Sequence, residues 1–267
     1  MPPLLSIVTV TYNPGVSRLE KTLQSVLKQN ARSYIEYGIV DGGSTDGTIE
    51  FLKSHEKSLN FFISEEDNGI YDAMNKGVQK SSGEWVLFLN AGDYLYTPFT
   101  IQEIGELLIQ HHPDILYGDC IQEYPTYWVY DRASPLERLP YQMIASHQSM
   151  ICKRSLLQDY PFDLSYKVCA DFDFTCHMYK RGVSFLYYPS PISVIEPVGF
   201  SSKHYKKNLE EKRKITTQYF PEKKIQLYFF YTKKLKLLPF ITFIKKIIPQ
   251  KILYIIHSRK YKDAAKK

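Results

Sequence analysis

An α/β fold, a mostly parallel central sheet flanked by helices with a basic amphipathic helical extension at the C-terminus, is predicted by three observations. Apolar, β-branched runs alternate with segments of helical periodicity through the first two hundred residues, as a doubly covered sheet requires. The stretch Glu84–Asp93 carries an apolar run without alternation, Trp85–Leu89, which fits a strand buried on both faces. Several such runs end in a carboxylate or amide beside glycine: Asn13, Asp41, Glu66 with Asp67, and Asp93. Ligands of open α/β sheets sit beyond the carboxyl ends of the strands, so these ends are where chemistry is expected.

In order, Leu4–Thr11 reads as a strand stopped by Tyr12-Asn13-Pro14-Gly15. Ser17 is a candidate cap for a helix reaching about Gln29, whose Leu19, Leu23, Val26 and Leu27 share one face. Tyr34–Val40 forms a second strand, and the loop from Asp41 to Thr48 is rich enough in Gly and Asx to demand tight turns. A helix over Thr48–His55 and a strand over Leu59–Ser64 complete a further β-α-β unit. The loop 65–69 feeds a helix from Ile70 that leads to the strand ending at Asp93. Beyond it come a helix near Thr100–His111, a strand at Asp114–Asp119, an irregular aromatic region to about Tyr141, and a helix over Asp171–Arg181. Residues 1–200 are expected to form one domain in two halves, one to about 95 and one after it, and 201–267 a separate tail.

Charge is divided unevenly. Residues 201–267 hold 19 Lys and Arg against 4 Asp and Glu, a net of +15, whereas residues 1–200 carry a net of −9. An acidic body with a basic tail points to a metal or cationic group on the body and an anionic partner for the tail. Cys120, Cys152, Cys169 and Cys176 form no CxxC pair and are expected to be reduced and buried. The start of the chain lacks the pattern of a signal peptide, which favours a cytoplasmic protein. Lysines interrupt every apolar window of the tail, so spanning a bilayer is not expected.

Neither G-x-G-x-x-G after the first strand nor G-x-x-x-x-G-K-[ST] is present, so phosphates are not cradled by a dinucleotide fingerprint or a P-loop. Strand-end carboxylates suit instead a diphosphate held through a divalent cation. The segments S-I-V-T-V-T-Y-N, V-D-G-G-S-T-D-G-T, S-E-E-D-N-G-I-Y-D-A-M-N-K-G, F-L-N-A-G-D, H-Q and A-D-F-D-F occur in that order over residues 4–196. In this the chain resembles the family 2 glycosyltransferases of the GT-A fold, especially those building bacterial capsular, exopolysaccharide or O-antigen repeat units.

The resemblance implies a role for each matching residue. Asp41 sits where the family binds the uracil of a nucleoside diphosphate sugar, with Thr11, Tyr12 and Asn13 lining the base pocket. Asp72 and Asn75 fall in the segment that approaches the donor ribose or phosphates, and Lys76 beside them is read either as a phosphate contact or as a solvated helix-face lysine. Asp93 is the last position of the metal-binding motif for Mg²⁺ or Mn²⁺, preceded by Asn90, Ala91 and Gly92 on the donor side. Asn90 and Gly92 replace acids often found there, which leaves one carboxylate and implies weak metal affinity without donor. His147 and Gln148 have a counterpart near the donor diphosphate or the acceptor. Asp171 aligns with the general base, although Ala170 stands where a Glu usually precedes it, and Asp173 is the alternative.

These roles imply an inverting, metal-dependent transfer of a sugar, with a catalytically silent sugar-nucleotide-binding subunit as the reading from another class. The tail alternates Lys with Leu, Ile and aromatic residues and is broken at Pro239 and Pro249. Such helices lie in the headgroup plane of an anionic membrane, which suits a saccharide acceptor linked to a polyprenyl diphosphate or similar lipid. Packing on the body, or on a second subunit as a homo-oligomer, is the alternative. Nucleic acid ranks lower, because the tail is aliphatic and aromatic rather than purely basic.

Overall fold

The computed structural model describes residues 3–197, 199, 204–247 and 265–266. Strand β1 (Leu5–Thr11) lies between β2 (Ile35–Asp41) and β4 (Trp85–Phe88), and β3 (Phe61–Ser64) follows β2, all in parallel. Helices α1 (Val16–Leu27), α2 (Thr48–Ser54) and α3 (Ile70–Lys80) make the crossovers. This half is the parallel sheet that the alternating pattern predicts.

Pairing changes beyond β4. After the two-residue β5 (Tyr94–Leu95) and helix α4 (Thr100–His111) come β6 (Ile115–Glu123), β7 (Tyr127–Asp131) and β8 (Met150–Lys153). Strand β8 lies antiparallel between β4 and β6, and β6 and β7 form an antiparallel hairpin inside the region expected to be irregular. The order through the sheet is β7-β6-β8-β4-β1-β2-β3, with β10 (Ala265–Lys266) beyond β7. Strand β9 (Phe185–Ile195) pairs parallel with β6 and antiparallel with β5. Its register against β6 shifts around Asp119, where Pro189 and Pro191 interrupt the strand, since proline donates nothing to the ladder.

Helix α1 starts at Gly15, whose φ of 79° turns the chain, and no side chain caps it. Ser17 is therefore an ordinary first-turn residue rather than the cap. Helices α5 (Arg154–Asp159) and α6 (Ala170–Arg181) follow β8, and α7 (Tyr205–Tyr219) and α8 (Lys224–Ile247) belong to the basic extension. Helix α8 runs through Pro239 without the expected break, because one lost backbone bond leaves the turns on either side intact. Pro249 lies outside the described residues.

Two apolar cores sit on opposite faces of the sheet. One contains Leu5, Ile7, Leu19, Leu23, Trp85 and Leu87; the other contains Val8, Met74, Val86, Phe172, Leu209 and Tyr231. Leu209 and Tyr231 come from the extension, so α7 and the start of α8 pack on the body. All four cysteines are free and buried.

A polar tie closes the lower end of the sheet. Glu36 on β2 accepts hydrogen bonds from Ser6 Oγ, from Ser82 N at 2.7 Å and from Ser82 Oγ at 2.7 Å, while Gly83 N donates to Ser6 Oγ at 2.9 Å. Gly83 passes so close to β1 that an added Cβ would lie 2.6 Å from Ser6 N and 2.9 Å from Leu5 C, backbone atoms that cannot step aside. Gly83→Ala is expected to cost about 1–3 kcal/mol of stability by overpacking. Urea denaturation would show this as a lower midpoint at an unchanged slope.

Candidate active site

The ends of β1 and β4 open onto two adjoining cavities, of about 570 Å³ and about 660 Å³. Arg18, Ile70, Tyr71, Asn90 and Ala91 line both, so the two form one cleft. The first also holds Asp93, His147, Gln148, Asp171 and Lys212. The second is lined by Thr11, Tyr12, Asn13 and Asp67, among others.

Asp171 stands in the first turn of α6, whose N-terminal dipole favours a negative charge. Its Oδ1 accepts from Tyr71 OH and from Phe172 N, each at 2.9 Å, and its Oδ2 lies 3.3 Å from His147 Nδ1. With Nδ1–H given to Asp171, His147 Nε2 is the acceptor for Asn90 Nδ2 at 3.1 Å. Burial alone would raise the Asp171 pKa, but the His147 contact and the Tyr71 hydrogen bond outweigh it and hold the carboxyl below its ordinary value. The result is an ionised acceptor facing a cleft.

Asp93 closes a turn after β4, where its N–H bonds Asn90 O at 3.0 Å. Gly92 takes φ 104°, and an added Cβ there would meet the Arg18 guanidinium at 2.8 Å. Gln148 Nε2 donates to Asp93 Oδ2 at 2.7 Å and Glu196 N to Oδ1 at 3.0 Å. Desolvation dominates, and the Asp93 carboxyl is pushed up to about 6. Two carboxylates of one cavity are thus driven to opposite sides of the usual range.

Other expected site residues are occupied elsewhere. Asp41 is fully buried and accepts from Gly43 N, Ser44 N, Ser44 Oγ and Ser64 Oγ, so it builds its own loop and lines neither cavity. Asp72 accepts from Asn68 N at 2.9 Å, which ties down the loop before α3. Asn75 clamps the Phe162 backbone with one bond to its carbonyl and one from its N–H, each 2.9 Å. Lys76 holds Glu66 O and Glu65 Oε1. Asp173 is buried and accepts from Tyr160 OH, away from both cavities.

Residues 6–184 match the sequence profile of Glycosyl transferase family 2. This chain is a family 2 glycosyltransferase. It is 34% identical over 184 residues to a PGL/p-HBAD biosynthesis glycosyltransferase of Mycobacterium bovis, covering 67% of this chain and 71% of that protein. Among solved structures it is similar to S. aureus TarS 1–349 in complex with UDP-GlcNAc, with a TM-score of 0.65 at 18% identity, over 80% of this chain and 66% of that one. The mannosyltransferase PcManGT of Pyrobaculum calidifontis, in complex with GDP-Man and Mn²⁺, gives 0.64 at 17% identity over 85% and 69%. At such identities these two structures establish the GT-A fold alone.

Within this glycosyltransferase, sequence reasoning missed Arg18, Tyr71, Glu196 and Lys212. Tyr71 lies inside the motif G-I-Y-D-A-M-N-K-G, where an aromatic at helical spacing reads as core and the adjoining Asp72 carries the polar signal. Arg18 pairs with Glu196 at 2.8 Å across the cleft, from positions 178 residues apart that carry no local signal.

As to a cation, no group of three or more His, Cys, Asp or Glu among the described residues could hold one. What the turn after β4 offers is the Asp93 carboxylate and Asn90 Oδ1, a buried amide oxygen with no hydrogen-bond partner among the described residues. Two hard oxygens fit a divalent ion shared with a diphosphate rather than one held by protein alone. Titration of ¹³C-labelled aspartates should give Asp93 an apparent pKa of about 6 and Asp171 one below the ordinary carboxylate range. The opposite order would contradict the geometry.

Proposed function

We propose that this glycosyltransferase moves a sugar, with inversion and with help from a divalent cation, from a nucleoside diphosphate sugar to a saccharide or lipid-linked saccharide acceptor. UDP is the nucleotide favoured, and bacterial surface polysaccharide synthesis the setting. The observation that carries the reading is that Asp93 and Asp171 line one cavity, which continues into a second cavity walled by Thr11, Tyr12 and Asn13. The complexes of TarS with UDP-GlcNAc and of PcManGT with GDP-Man and Mn²⁺ support a sugar-nucleotide donor.

In this reading the nucleotide enters the second cavity, where the buried Thr11 hydroxyl has no partner among the described residues. Asp93 and Asn90 would hold Mg²⁺ or Mn²⁺, which when bound neutralises charge developing on the leaving diphosphate. Asp171 takes the proton of the acceptor hydroxyl as that oxygen attacks the anomeric carbon. Tyr71 and His147 keep the Asp171 carboxylate ionised and oriented until the proton arrives. Asp171→Asn is expected to lower kcat by about 10²–10⁴-fold while leaving sugar-nucleotide binding intact, measured by thermal stabilisation with UDP-sugars and Mn²⁺. Unchanged transfer by a folded, nucleotide-binding variant would leave the silent binding subunit as the better reading.

The extension supports a place at the inner face of the cell membrane. No helix among the described residues is long and apolar enough to cross one. Helix α8 packs Leu227 and Tyr231 on the body, yet Ile225, Phe229 and Phe240 on its other side are 76%, 66% and 64% exposed. Lys233 and Lys236 are exposed around them, each contributing about 1 kcal/mol beside anionic lipid. A triple Ile225→Ser, Phe229→Ser, Phe240→Ser variant is expected to lose most sedimentation with phosphatidylglycerol vesicles while keeping its fold. Full sedimentation by that variant would remove the membrane reading.

A further inference from the structure

We propose that Glu211, on helix α7 of the basic extension, is a positioning residue for the Asp171 base, acting through the backbone segment from which α6 starts. The proposal rests on Asp171 being the base, the role proposed for it in sugar transfer. Glu211 is nearly buried, and its carboxylate accepts three consecutive backbone N–H groups: Lys167 at 3.0 Å to Oε1, and Val168 at 2.9 Å and Cys169 at 3.0 Å to Oε2. Charge-assisted bonds of this kind are among the stronger ones, and three on one carboxylate fix a turn of chain. Lys207 Nζ, 4.0 Å away and half exposed, adds little.

That segment reaches the base by two routes. Cys169 immediately precedes α6, and its carbonyl accepts the Asp173 N–H at 2.9 Å in the turn that contains Asp171. Val168 O lies 2.8 Å from Tyr71 OH, the same hydroxyl that contacts Asp171 Oδ1. Moving Val168 would therefore shift a donor to the base as well as the helix that carries it. The adjoining residues of α7 face the same place, since Asn208 and Lys212 line the cavity that holds Asp171. All three N–H groups are taken up by a side chain of the extension, so the extension holds the segment that leads into this helix.

The test uses the full chain and two substitutions. Glu211→Gln preserves volume but turns an N–H₂ toward backbone N–H groups, so it cannot accept all three bonds. Glu211→Asp keeps the charge on a shorter arm. A displacement of about 1 Å at a reacting group can cost on the order of 10²-fold, so the Gln variant should lose roughly tenfold or more in kcat with donor KM within about twofold. The Asp variant should recover part of that loss, and amide exchange at residues 167–169 should speed up in Glu211→Gln. A folded Gln variant with kcat within about twofold of the parent, or with its whole loss in donor KM, would overturn the proposal. Should the parent chain transfer no sugar, that failure belongs to the assignment of Asp171. Unchanged exchange at 167–169 in Glu211→Gln would then still overturn the role of Glu211.

Discussion

A carboxylate kept ionised in a largely buried place needs donors fixed in advance, and the Asp171 shell shows how much of the chain is recruited to supply them. Tyr71 comes from α3, His147 from the turn before β8, and Phe172 N from α6 itself. Each of these elements hangs on a different part of the sheet, so the site is only as precise as the packing between its parallel and antiparallel halves. The Asn75 clamp on Phe162 serves that precision, while the Glu36 tie stiffens the parallel half itself. Removing one donor would leave the charge less satisfied, and burial would then push its pKa upward.

The contrast with Asp93 is electrostatic. Both acids line one cavity and both are desolvated, yet Asp93 is hydrogen-bonded by two amide donors and faces the charge of Glu196, whereas Asp171 has the His147 ring and the Tyr71 hydroxyl. Desolvation therefore outweighs the help from those amides and from His147. A group raised in this way favours the fold most at low pH, and that contribution is lost as pH rises through about 6. A cation would offset the cost of keeping it charged at neutral pH, which is a physical reason to expect metal and donor to bind together.

Strand-end acids were legible from the sequence because turn chemistry and apolar runs are local signals, and the first four strands follow them closely. What each acid does was not legible. Asp41 has the type and place of a ligand residue, and its bonds from Gly43, Ser44 and Ser64, which tie it to its own loop, are revealed only by three-dimensional proximity. Asp171 and Asp173 are two apart on one helix, and the packing of Tyr160 against Asp173 separates them. Strand β9 escaped notice because Pro189 and Pro191 break its pattern, although it delivers Glu196 to Asp93 and Arg18. The tail's charge marked it as distinct in composition. Its packing was hidden, since Leu209, Leu227 and Tyr231 look like the rest of an aliphatic and aromatic helix until the body is seen beneath them.

The proposal of one base on the acceptor side and a leaving diphosphate on the other implies a single in-line displacement. The most direct test is the anomeric configuration of the glycoside formed from an α-linked UDP-sugar, read from its ¹H NMR coupling. A β-linked product is the result predicted. An α-linked product would contradict the paired roles of Asp171 as base and Asp93 as cation ligand.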